Sequence, residues 1–264
     1  MLKILKNIVL ALSLLLLLLI TLAATPQLFH SNKGISISHG SRFTGYLENG
    51  FLLPYTGDNF EYFSWTSYYI MDNAYVNNQV GEVVLKAYSL LEEQQPENQY
   101  VLMECSDHFG GPLLFHESHK NGLSIDFMSP KIKDNTPYTG LDGWGFAHYF
   151  LEFDSKGVLL VKYPFLNYIS TKLATVFAQG FMEQEVSINF EMIAQHLLAL
   201  QEATKGTNVR IRKVIFKLQL KDELYSGTYG KKLLKSGIPL ATILPKSTNE
   251  MHEDHYHVDF IVTK

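Results

Sequence analysis

Residues 8–24 are almost wholly apolar and include six consecutive leucines at positions 14–19. A run of this kind does not fit the outer layer of a small domain. It either leaves with a cleaved leader, whose apolar core is about 7–15 residues, or crosses a bilayer, which takes about 17–25. This run lies on the border between the two, so residues 1–24 read as a signal peptide or a membrane anchor. Lys3 and Lys6 give the positive start both need, and Ala23 and Ala24 are small residues suited to cleavage. No cysteine follows closely, which excludes a lipoprotein anchor. In either case the rest of the chain is expected outside the cytoplasm, periplasmic, secreted or anchored. A retained helix would keep its N-terminus on the cytoplasmic side. Residues 25–41 read as a linker, and residues 42–264 as one folded domain.

Net charge is −4, from 22 basic and 26 acidic residues that are well mixed. A nucleic-acid binder would show a basic face, so that class is excluded. Nothing points to a protein partner. The 15 tyrosines and 17 phenylalanines fit core and sheet packing. The single cysteine, Cys105, rules out an internal disulfide and a cysteine-based zinc site. It falls in an apolar run and reads as a small core residue.

Apolar spacing predicts a helix over 77–94, with Val80, Val83, Val84, Ala87, Leu90 and Leu91 on one stripe and Pro96 as its stop. A second helix is predicted over 187–203 and a third over 222–236, weakened by Gly227 and Gly230. Strands are predicted over 100–106, 123–128, 214–220 and 255–262. Residues 146–153 and 158–163 read as a hairpin around Gly157. The expected fold is α+β, a single domain with a central antiparallel sheet flanked by helices and the candidate metal site on the sheet.

Two stretches carry candidate chemistry. The first holds His116, His119 and Asp126; the second holds His252, His255 and His257. On a strand, positions i and i+2 share a face, so His255 and His257 point together while Tyr256 and Val258 point away. Asp126 alternates with Ile125 and Phe127, which can enter a core while the carboxylate faces a cleft. Asn121-Gly122 supplies a turn that returns His119 toward it. Two imidazoles and one carboxylate leave a fourth tetrahedral position open, the donor set of a catalytic Zn2+. Zinc acidifies water from a pKa of 15.7 to about 7, worth on the order of 12 kcal/mol. His252 and His255 would be left for proton transfer or oxyanion support. Either histidine motif alone is often structural; their combination is what suggests a metal. Glu253, Asp254 and Asp259 read as solvated charges.

These residues resemble the penicillin-insensitive murein endopeptidases, zinc peptidases related to lysostaphin-type enzymes, D-Ala-D-Ala peptidases and hedgehog domains. The pattern His-x-x-His-x-x-Gly-x-x-x-Asp is met by His116, His119, Gly122 and Asp126, and His-x-x-His-x-His by His252, His255 and His257. Gly110-Gly111 precedes the first motif, and Gly45, Leu47, Gly50, Leu53, Pro54 and Gly57 are similar to the opening of those domains. The resemblance spans residues 45–264 and is specific at the two histidine motifs. It implies His119, Asp126 and His257 as zinc ligands, His255 and His252 as catalytic groups, and His116 lining the site or joining a second metal. The implied activity is cleavage of D-alanyl crosslinks in peptidoglycan, whose peptides would be the substrate. A carboxypeptidase or amidase on the same peptides, or a non-catalytic zinc module, shares the same code. The disulfides of some relatives are absent. A second-metal Asp-x-x-His is also missing, because Asp154 is followed by Gly157. Residues 141–149 suggest core packing or a substrate wall, and 134–143 a flap.

Overall fold

The structure is a computed structural model that describes residues 2–113, 116–142, 148, 151–161 and 186–263. Most of the 141–149 segment and the outer ends of the expected hairpin lie outside the described residues. The apolar run forms α1 (Leu2–Leu28), which is long and apolar enough to cross a membrane by length and composition. Its C-terminal end is tied to the domain: Ala24 and Gln27 are buried, and the Gln27 amide donates to Asp72. The stretch expected as linker is partly built into the fold. Within it β1 (Ile37–His39) pairs with β2 (Tyr46–Glu48), and the buried Ser36 hydroxyl donates to the Asn49 carbonyl at 2.6 Å.

There follow β3 (Phe51–Leu52), β4 (Phe60–Tyr62), α2 (Trp65–Tyr69), β5 (Tyr75–Val76), α3 (Asn78–Gln94), β6 (Tyr100–Leu102) and β7 (Ser124–Met128). Next come β8 (Lys131–Lys133), β9 (Thr136–Tyr138), β10 (Leu151–Phe153), β11 (Leu159–Val161), β12 (Ser187–Ile188) and α4 (Phe190–Ala203). The chain ends with β13 (Val209–Ile215), α5 (Lys221–Ser226), α6 (Thr228–Lys235), α7 (Lys246–Met251) and β14 (His255–Val262).

The main sheet has five strands in the order β13-β14-β7-β6-β4. It is mixed rather than wholly antiparallel, because β4 runs parallel to β6. Parallel pairing needs a crossover, and α2, β5 and α3 lie between those two strands. Smaller sheets join β1 to β2, β3 to β5, β10 to β11, and β12 to β8 and β9. The fold class is therefore α+β, with helices α3 and α4 packed together on one side of the main sheet.

Helix α3 forms where its apolar stripe predicts. Val80, Val83, Val84, Ala87 and Leu91 are buried, and the Asn77 side chain accepts from Gln79 N at 3.1 Å to cap the first turn. Asn77 also donates to Ser38 Oγ at 3.1 Å, joining the helix start to β1. Replacing Asn77 with alanine is expected to lower stability by about 1–2 kcal/mol, read as a shift in denaturation midpoint at unchanged slope.

Three expectations shift. The strand expected over 214–220 is instead β13, and Leu218–Leu220 forms a 3-10 turn. Ser187–Ile188 is a short strand, and the helix after it starts at Phe190 behind an Asn189 cap. The 222–236 helix is broken in two at Gly227. There a Cβ would lie 1.5 Å from Glu191 Oε1, and Glu191 accepts from Tyr229 N at 3.0 Å to cap α6. Cys105 is fully buried, as a core residue.

Candidate metal centre

Strands β7 and β14 lie side by side and sort their side chains onto two faces. Ile125 pairs with Val258 and Phe127 with Tyr256 on the core face. Asp126 pairs with His257 and Ser124 with Asp259 on the other. The alternation that buries the aromatics therefore also sets Asp126 beside His257.

His119 arrives from the loop before β7. Its φ of 74° lies in the left-handed region, which costs about 1–2 kcal/mol for a non-glycine residue. The loop holds it there. The Ser106 hydroxyl donates to the His119 carbonyl and accepts from Gly122 N at 2.8 Å. Gly110 (φ 69°) passes so close to the chain that a Cβ would lie 2.2 Å from the Lys120 carbonyl.

The result is a tight donor cluster. His119 Nε2 lies 3.2 Å from Asp126 Oδ2 and 3.1 Å from His257 Nδ1. His257 Nδ1 lies 2.7 Å from Asp126 Oδ1. Ligands on a tetrahedral zinc, with bonds of 2.0–2.2 Å, stand roughly 3.3–3.5 Å apart. All three residues are buried. His257 donates from its other nitrogen, Nε2, to Asp259 Oδ1 at 2.8 Å. Asp259 also accepts from the Ser124 hydroxyl at 2.8 Å and pairs with Arg42 at 3.0 Å. A carboxylate behind a histidine is the usual support of a metal ligand, fixing its tautomer and direction. Two imidazoles, one carboxylate and this backing could hold a metal ion.

The other predicted residues stand around the cluster. His116 pairs with Glu104 through Nε2, and its Nδ1 lies 3.7 Å from Asp126 Oδ2. His116, His119 and Asp126 offer one set of metal donors; Asp126, His252 and His257 offer another. His252 donates from Nδ1 to the Thr248 carbonyl at 2.6 Å, which leaves Nε2 to face inward. The His252 and His255 rings lie 4.8 Å apart. All six predicted residues line one cavity of about 460 Å³, with Arg42 and Lys213 at its edge.

Electrostatics follow from burial against partners. Burial works against the Asp126 charge, but His119 and His257 hold its carboxyl well below the usual range. Burial also opposes a charge on His257, yet Asp126 and Asp259 hold it up at about 9. Desolvation pushes His119 down despite Asp126. Desolvation and the neighbouring His255 push His252 to about 3, so its imidazole is neutral.

Two expectations about charges are corrected. Asp254 and Asp259 are buried rather than solvated, because each carries hydrogen bonds from histidines. Glu253 is half-buried and pairs with Lys217 at 2.6 Å. Sequence reasoning also passed over His148, a buried residue whose Nδ1 donates to Asp254 at 2.7 Å. The available signal was an aspartate directly before the first histidine of a His-x-His strand. Asp154 caps a turn, accepting from Lys156 N and Val158 N. A scan of protein-family models and a search of curated proteins find no match to this chain.

Proposed function

We propose that the chain is a zinc-dependent peptidase that cuts D-alanyl crosslinks in peptidoglycan outside the cytoplasm. The observation that carries the reading is the meeting of His119 Nε2, Asp126 and His257 Nδ1 with a carboxylate behind His257, in a cavity that also holds His252 and His255. The resemblance at both histidine motifs supports the substrate class, and the apolar helix supports a place where that substrate lies. His119, Asp126 and His257 would hold the ion. When bound, zinc supplies Lewis-acid chemistry, acidifying water and polarising a carbonyl.

The chain supplies the rest. His252 has its Nδ1 hydrogen committed to Thr248, so Nε2 carries a lone pair that can accept a hydrogen bond in the cleft; burial keeps the ring neutral and makes it a weak base. His255 stands beside it. Lys213 adds a cation to the cavity lining, while Arg42 is already paired with Asp259.

Full-length protein in detergent, incubated with crosslinked muropeptide dimers, is expected to yield monomers with zinc and none with a chelator. Mass of the products separates crosslink cleavage from trimming of uncrosslinked peptides by a carboxypeptidase. Dimers left intact by zinc-loaded protein would count against the proposal.

A further inference from the structure

We propose that Asp254 is a positioning residue that clamps His255 in one tautomer, with His148 closing the clamp from the other side. The role in turnover rests on the peptidase reading above; the clamp does not.

Each oxygen of the Asp254 carboxylate has its own donor. Oδ1 accepts from His255 Nδ1 at 2.8 Å, and Oδ2 accepts from His148 Nδ1 at 2.7 Å. All three residues are buried. The backbone is held as well, since the Asp254 carbonyl accepts from Ser129 N at 2.8 Å. The nearby Lys131 ammonium does not compete for Asp254, because it pairs with Asp142 at 2.6 Å.

The two histidines of β14 are thus backed by carboxylates through opposite nitrogens. His257 gives Nε2–H to Asp259 and turns Nδ1 toward Asp126 and His119. His255 gives Nδ1–H to Asp254 and presents Nε2. Both rings leave the same face of one strand, two residues apart. Nδ1 lies close to the backbone and Nε2 at the far edge of the ring. The choice of backing nitrogen therefore decides the depth of the free one. His257 works near the sheet, where the metal donors are. His255 turns Nε2 away from Asp254 and lines the same cavity as the metal donors. Aspartate fixing the tautomer of a working histidine is a known way to keep its lone pair aimed.

His148, Asp254 and His255 are also close enough to be metal donors. The carboxylate is already filled by two N–H groups, however, and an ion would have to displace both hydrogens. The clamp needs no ion.

The test uses the zinc-loaded full chain with 15N-labelled histidine. At alkaline pH, where the ring is neutral, NMR is expected to show His255 as the Nδ1–H tautomer, with its proton far downfield from the carboxylate hydrogen bond. An Nε2–H tautomer would overturn the proposal whether or not the protein cuts anything. Asp254→Asn is expected to lower kcat about 10- to 100-fold with KM and zinc content unchanged, while Asp254→Glu restores part of the rate. Unchanged kcat, or zinc lost in step with activity, would refute the positioning role. Two zinc ions per chain falling to one in Asp254→Asn would replace the clamp with a second metal site. If wild type cuts no muropeptide, the peptidase reading fails, and the tautomer alone decides the clamp.

Discussion

Asp126→Ala is expected to empty the metal centre, taking zinc from about one ion per chain to near zero. Muropeptide cleavage should fall with it by at least on the order of 10³-fold. Asp126 is the carboxylate on which the cluster converges: His257 Nδ1 lies 2.7 Å from it, His119 Nε2 3.2 Å and His116 Nδ1 3.7 Å. Without it, two buried imidazoles face each other at 3.1 Å with no negative charge between them. The variant should still fold. The strand around Asp126 is held by main-chain bonds, Met103 N to the Asp126 carbonyl and Asp126 N to the Glu104 carbonyl, each at 2.9 Å. Metal analysis of the purified variant, with circular dichroism to confirm folding, makes the check. Folded Asp126→Ala that keeps stoichiometric zinc would refute the assignment.

Acid should unfold the protein partly through His196, on the core side of the same sheet. This histidine is fully buried among Tyr88, Tyr100, Phe127 and Tyr256. Its Nδ1 is hydrogen-bonded to the Tyr256 hydroxyl at 2.7 Å, and Nε2 has no partner among the described residues. Burial pushes its pKa from 6.5 to about 3. The unfolded chain then takes up this proton near pH 6.5 while the folded chain refuses it until about 3. Stability rises with pH across that window and is lost as pH falls through it, by about 5 kcal/mol for the whole interval. His196→Phe should remove this slope. At neutral pH it should cost about 1–3 kcal/mol, because the Tyr256 hydroxyl loses its partner. Urea denaturation of both chelated proteins at pH 7 and pH 4 tests this. The buried His252 is common to both and cancels. Equal losses in the two proteins would dismiss His196 as the source.

Period-based features were legible in the sequence. The stripe of α3 and the two-residue alternation of β7 and β14 read directly, and with them the shared face of His255 and His257. The tight approach of His119 to Asp126 was suggested by Asn121-Gly122, and the left-handed residues of the turn are Gly122 and His119 itself. What was not legible depends on pairing between distant segments. Strand β4 pairs in parallel with β6, and its three residues carry no signal of that partner. A strand is expected over the apolar residues 214–220, whereas β13 spans Val209–Ile215. The strand begins earlier because Arg210 and Arg212 lie on an exposed face, so charge there does not exclude β structure. The roles of Asp254 and His148 were hidden for the same reason, since 106 positions separate them. An acidic residue is usually solvated, and only the folded chain brings His148 to the side opposite His255.

Strand β14 has a consequence for how this chain can change over time. Tyr256, Val258 and Phe260 hold the core, and His255, His257 and Asp259 alternate with them. Inserting or deleting one residue within the strand would swap the two sets beyond that point, driving aromatics into the cleft and histidines into the oil. Length changes of two residues keep each set on its own side. Packing alone therefore selects against odd steps in this segment, and the pairing of His257 with Asp126 selects against even steps that shift it along the strand.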